Sequence, residues 1–353
     1  MKSFKEIRLQ RASARAWRLL SALLFTGAVF TTLTATPVFA AASTTAKWTG
    51  GEGNWESTTA VEASGTSIDA TFKGDDEAAA STASLAVTID ETDSDVTVEG
   101  AGVAATSVAL GANNAAILTI AEDGELTTNV TVGANGTLNL NAATNSGTAG
   151  SLVGNIVDNA GTVNNAGTIT GDITANTGGT FTNSGAGTIG GDITNTGGTF
   201  TNTGTALVIG NGKTLTNSAG GTFTNEGTLT NDGTITATGG VFTNKGTVDN
   251  SGVITSTAAE FVNDNTLNLA AGSSIGDYTN SATGTTNVNG AVTTFGLVTN
   301  DGELNVNAEL TAAALATNTG TLNIGADTTT ALTDNTGGTI NLNGGQLTTG
   351  AIA

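Results

Sequence analysis

The sequence predicts an all-β chain: a single-stranded parallel β-helix with about nineteen residues per coil. Three observations carry that prediction. First, an asparagine recurs at nearly constant spacing at Asn145, Asn164, Asn183, Asn202, Asn225, Asn244, Asn263, Asn280, Asn300, Asn318 and Asn335. A fixed period of this size marks a solenoid, whose repeats cannot bury their apolar faces alone and so stack on one another. Second, the window from Phe223 to Glu260 reads as hexads: Phe223-Thr-Asn-Glu-Gly-Thr, Leu229-Thr-Asn-Asp-Gly-Thr, Ile235-Thr-Ala-Thr-Gly-Gly. After one extra residue, Val241, the cycle restarts at Phe242. Third, Gly and β-branched Thr are frequent and no apolar stripe of helical period runs through the region, which disfavours helix.

Each element of the repeat follows from its residue types. One apolar side chain flanked by threonines suits a short strand with a single buried position. The Asn-x-Gly that follows suits a turn, because Asn and Gly tolerate left-handed backbone angles. Phe181, Phe200, Phe223, Phe242 and Phe261 are then expected to form one inward aromatic stack, continued less regularly by Tyr278 and Val298. Asn183, Asn202, Asn225, Asn244 and Asn263 are expected to stack amide on amide as a structural ladder. Eleven coils at ~4.8 Å each would give a rod of roughly 50 Å.

The ends of the chain differ from its middle. Residues 1–40 read as a signal peptide: a basic n-region (Lys2, Lys5, Arg8, Arg11, Arg15, Arg18), an apolar stretch from Leu19 to Ala35, and small residues before a cleavage point after Ala40. Residues 41–99 hold Trp48, Trp55 and twelve acids and are assigned as an N-terminal capping region. Strand-like runs at Ala86–Asp90, Asp95–Val98, Ile117–Ile120 and Thr137–Leu140 read as irregular first coils. Residues 100–353 are the β-helix repeats, whose C-terminal end is expected to be uncapped.

Charge and composition exclude several functions. Removing residues 1–40 takes away six basic residues and one acid, so residues 41–353 keep four lysines, no arginine and 29 acids, a formal charge of about −25. Nucleic acid and anionic lipid are poor partners for such a chain, since both need clustered Lys and Arg. The absence of Cys and His removes disulfides, thiol chemistry, the commonest transition-metal ligand and the usual general base. No cofactor is expected. Gly212-Lys213-Thr214 resembles the end of a phosphate loop, but Leu207 stands where the loop needs glycine. Asp75 and Asp76 could form the carboxylate pair of a β-helix glycan hydrolase, yet they lie outside the regular coils and read as a solvated charge run.

The segment Lys47-Trp48-Thr49-Gly50-Gly51-Glu52-Gly53-Asn54-Trp55 resembles the start of autotransporter (type V secretion) passenger domains, and Asp69-Ala-Thr-Phe72 resembles the element that follows it. On that resemblance the cap residues are Trp48, Gly50, Asn54, Trp55, Asp69 and Phe72. It implies a right-handed β-helix, exported through the inner membrane and exposed at the cell surface or released. It also implies an outer-membrane translocator, for which nothing here reads as membrane strands closing on an aromatic terminus. The expected function is a structural or adhesive passenger rod rather than an enzyme. It would bind host or matrix glycans, proteins or copies of itself by repeated polar contacts. The alternatives are a polysaccharide-active β-helix enzyme, or an ice- or surface-binding solenoid suggested by Thr224, Thr230 and Thr236.

Overall fold

A computed structural model describes residues 45–48, 52–55, 71–72, 86–90, 94–100, 103–144, 147–205, 207–257, 260–311, 314–332 and 334–349, the first three of these segments for the backbone alone. The chain divides into two units, 1–40 and 41–353, and every described residue belongs to the second. The predicted signal peptide, Gly50, Asp69, Asp75, Asp76 and Asn145 lie outside the described residues.

The described residues between 45 and 349 form a parallel β-solenoid. The described residues contain only strands, turns and irregular segments, with no helix. Each hexad of the repeat is one strand. Thr222–Asn225 belongs to a 13-stranded sheet, Thr228–Asn231 to an 8-stranded sheet and Thr234–Thr238 to a 16-stranded sheet. These are called the second, third and first sheets below. Every pairing between named strands is parallel and joins one coil to the next; Thr222–Asn225 pairs with Val241–Asn244, residue for residue. At ~4.8 Å per coil, thirteen stacked strands extend about 60 Å.

The register explains the repeat. Alternate strand positions point inward, so that the second residue, which is apolar, and the fourth, which is asparagine, are covered. Val241 is in register with Thr222, so it is the leading outward residue of its strand; the residue that lengthens the coil beyond three hexads lies instead in the Gly239-Gly240 turn. Nineteen is also not a constant. Successive members of the second-sheet asparagine column are separated by 17 to 23 residues. Turns absorb the difference while the strands stay in register.

The early coils are built differently. Val103–Leu110 and Glu125–Val132 are eight-residue strands that span a corner. Against Glu125–Val132 the next coil places two short strands, Ser151–Val153 and Ile156–Asn159. Gly154 sits at that break with φ 154°, and a Cβ there would lie 1.8 Å from the Thr128 carbonyl oxygen. Only glycine lets the chain turn so close to its neighbour, and the break divides one long strand into two faces. Near the other end, Leu310–Thr311, Thr328–Thr329 and Leu347–Thr348 form a separate three-stranded sheet that follows the first sheet in chain order.

The segment assigned as a cap contributes strands to the stack itself. Thr45–Trp48 pairs with Ala86–Ile89 in the first sheet, and Glu52–Trp55 pairs with Ser94–Val98 in the second. Trp48 and Trp55 therefore stand in register with Ile89 and Val98, and Asn54 with Thr97. Thr71–Phe72 returns to pair with Lys47-Trp48 on the opposite side, as the outermost strand of the first sheet. Phe72 thus lies on a strand that covers backbone donors and acceptors otherwise left open at the sheet edge.

Candidate functional site

Two interior columns run from coil to coil behind the outer faces. Phe181, Phe200, Phe223, Phe242 and Phe261 are fully buried and stack with centroid separations of 4.6, 4.7, 4.7 and 4.9 Å, at interplanar angles of 6°, 9°, 13° and 17°. The nearly parallel planes keep the rings in face-to-face contact along five successive coils. Tyr278 continues the column edge-on to Phe261, at 6.3 Å and 85°, followed by Val298.

The asparagine ladder is present, with a shifted start. Asn165, Asn183, Asn202, Asn225, Asn244, Asn263, Asn280, Asn300, Asn318 and Asn335 are linked by nine Nδ2–H···Oδ1 bonds of 2.6–3.0 Å. Asn164, expected in this column, points outward and donates to Asn139 Oδ1 at 2.9 Å. The strand pattern accounts for the correction. The buried asparagine sits two positions after the buried apolar residue, and for Val163 that residue is Asn165.

Most ladder amides spend their second proton on a main-chain carbonyl one coil further on. Asn225 donates to Thr247 O at 2.9 Å and Asn244 to Thr266 O at 2.8 Å. These second acceptors fix which way each amide faces, so the chain of bonds runs in one direction. Buried amides cost little when both protons and the oxygen are engaged. Asn165 Oδ1 is the exception. As first member it faces Leu140 on the preceding coil and receives no donor among the described residues.

The other ladders are not marked by the nineteen-residue period. Asn159, Asn176, Asn195 and Asn217 form one in the first sheet, at 2.7–2.8 Å, and Asn231 and Asn250 one in the third. Irregular coil lengths hid them from a search at one period. A further ladder lies outside, on the third sheet. Asn268 donates to Asp249 at 2.7 Å, and Asn287, Asn305, Asn323 and Asn341 each donate to the preceding member at 2.8–3.0 Å. It runs opposite to the buried one because it starts on a carboxylate, which only accepts.

Other outward acids are likewise tied to neighbouring coils. Backbone donation from Gly239, then the Thr257 hydroxyl, hold the exposed Glu260 carboxyl below its usual range. Asp232 accepts from Ser251 and Asp301 from Thr319, each one coil on. Lys213 lies in a turn, its N–H bonded to Gly210 O at 2.9 Å, ahead of a strand. A phosphate loop would lead into a helix at this point. Among the described residues no three His, Cys, Asp or Glu side chains gather as a metal site.

The outer face of the second sheet is different in kind. Thr162, Thr180, Thr199, Thr222 and Val241 form one outward column in register; Thr182, Thr201, Thr224 and Thr243 form another beside it. None of these eight threonine hydroxyls makes a hydrogen bond to a described residue, and no charged residue lies in either column over these coils; the first column continues through Thr137 and Ile117 to Asp95. Thr224, Thr230 and Thr236, grouped together by sequence, fall on three different sheets. Only Thr224 belongs to this array.

Tyr278 is the one buried phenol. Burial pushes its titration well above the usual range, with the Thr286 hydroxyl acting the other way. That hydroxyl donates to Asn280 Oδ1 at 3.2 Å, and the phenol oxygen has no hydrogen-bond partner among the described residues. Tyr278→Phe removes an unsatisfied buried group, which costs about 1–3 kcal/mol where it occurs. The substitution is therefore expected to raise the urea midpoint, and a lowered midpoint would show that the hydroxyl has a partner.

Comparison with known proteins returned no family, no curated protein and no solved structure that matches this chain.

Proposed function

We propose that the chain is an exported, surface-exposed structural rod of the autotransporter passenger type, making contact through repeated polar groups on its outer faces. The observation that carries this reading is the repetition itself. Each coil presents the same few outward residues at the same positions, so a weak single contact is multiplied along the stack. The rest of the design supports a scaffold. The interior is filled by apolar columns and by amides bonded from coil to coil, and the outward acids described above bond to neighbouring coils. The basic n-region and small-residue cleavage signal of residues 1–40 supply the argument for export, and the Trp48–Trp55 segment supplies the resemblance to passenger domains. No catalytic role is proposed.

The reading is tested in the source organism. Protein recovered from intact cells by external protease, or from the medium, is expected to derive from residues 41–353, with an N-terminus at Ala41. A product that stays inside the cell and begins at Met1 would overturn it. Deleting the gene should reduce attachment of cells to their surface while leaving growth in suspension unchanged.

A further inference from the structure

We infer that the outer face of the second sheet binds a crystalline water surface. The inference rests on the contact-rod reading above and names its partner. The argument begins with geometry. Between coils, the columns repeat at the spacing of the rings behind them, 4.6–4.9 Å. Along each strand, outward residues two apart are separated by about 6.6–6.8 Å. Thr180 and Thr182, Thr199 and Thr201, Thr222 and Thr224 thus occupy the corners of a nearly rectangular net. The residue-for-residue register of these coils carries the same pair of outward positions from each to the next, so the net repeats in two dimensions.

The chemistry of the net narrows its partner. Each threonine offers a methyl and a hydroxyl that no described residue engages, and β-branching restricts its rotamers, so little order remains to be imposed on binding. Val241 keeps the column's branched shape where the hydroxyl is replaced. On a chain with 29 acids after Ala40, the two columns carry no charge from Thr162 to Thr243, the first acid in register being Asp95, three coils before Thr162. An ionic mineral would call for carboxylates and a nucleic acid for cations. A sugar chain would commonly be met by an exposed aromatic ring, and the phenylalanines of this sheet are all buried.

Size excludes a protein partner as the main occupant. Five coils by two residues cover roughly 300 Å² at these spacings, against ~800 Å² per partner in a standard interface. A crystal of water has no such minimum. It is uncharged, repeats indefinitely in two dimensions and can be held by many small equivalent contacts. By contrast, the third sheet has one outward threonine column, Thr228, Thr247, Thr266 and Thr285, and the column beside it holds the Asp249 carboxylate and asparagines that already bond to one another.

The test uses the full chain, purified in folded form, with ice as the probe: thermal hysteresis and inhibition of ice recrystallisation, with circular dichroism as the control for folding. The wild-type chain is expected to arrest ice growth. Thr201→Tyr and Thr224→Tyr, which place a ring on the face without touching the core, should abolish the effect. Thr247→Tyr, on the third sheet beside Asp249, should leave it intact. No ice activity in the folded wild type, or equal loss in all three variants, would overturn the inference. The rod reading is judged separately, by export and surface display, so the two can fail independently.

Discussion

Replacing Phe223 by alanine is expected to destabilise the solenoid by about 3–5 kcal/mol, the range for removing a buried aromatic side chain. Phe223 is fully buried between Phe200 and Phe242, each 4.7 Å away with rings almost parallel. Its loss removes two ring contacts, worth about 0.5–1.5 kcal/mol each beyond area burial. The coils above and below cannot collapse into the space, because their spacing is held by main-chain pairing on both sides. The effect has a second signature. In a solenoid, stability is close to a sum of repeat terms and nearest-neighbour interface terms. Weakening one interface should therefore uncouple the coils before Phe223 from those after it. Urea unfolding followed by circular dichroism is expected to change from one transition to two, or to one with a reduced slope. Phe223→Leu, which keeps most of the volume, should retain a single transition. A single unshifted transition for the alanine variant would mean that the stack does not couple the coils.

The parts of this structure that could be read in the sequence are those where one residue type does one job. Phenylalanine at a regular interval could only be an inward column, and Asn-x-Gly after each strand could only be a turn. Those signals located strands, sheets and the aromatic stack without knowledge of the coil count. The ladder itself was legible to within one position. At Asn164-Asn165 the sequence offers two adjacent asparagines, and which one turns inward depends on the alternation set by Val163 rather than on the nineteen-residue interval. The first-sheet ladder was hidden for a related reason: its members are 17, 19 and 22 residues apart, because turns between them differ in length. Outer faces were least legible. Thr224, Thr230 and Thr236 look equivalent in a hexad, yet each hexad is a separate strand and sends its threonine to a different sheet. Which threonines share a face is a property of stacking between coils, and only the register shows it.

The buried ladder makes a sharper demand than the aromatic column, because it is built from donors and acceptors in fixed order. Asn244 accepts from Asn225 at 2.9 Å and from Gly246 N at 3.3 Å, and it donates to Asn263 Oδ1 and Thr266 O, both at 2.8 Å. Asn244→Asp is isosteric but removes both protons. At neutral pH it leaves two buried acceptors without donors and sets a carboxylate against them, an expected cost of about 3–5 kcal/mol. Burial and the facing oxygens disfavour the ionised form, so the folded-state pKa is raised above the unfolded value of about 3.9. The sign follows. Below about pH 4 the aspartic acid is protonated in both states, and its O–H can restore one donor. As pH rises past that value, the unfolded state releases the proton while the folded state holds it, so stability falls until the folded group also ionises. The gap in urea midpoint between wild type and Asn244→Asp should therefore be small at pH 4 and large at pH 7. Asn244→Leu, which breaks the same bonds without a titrating group, should show a gap that does not change with pH. Asn305→Asp, in the outward ladder where water can replace lost partners, should differ from wild type by less than about 1 kcal/mol at either pH. If the two aspartate variants behaved alike, the buried amides would be turn formers that happen to align, and the one-way chain of bonds would contribute nothing to holding the coils together.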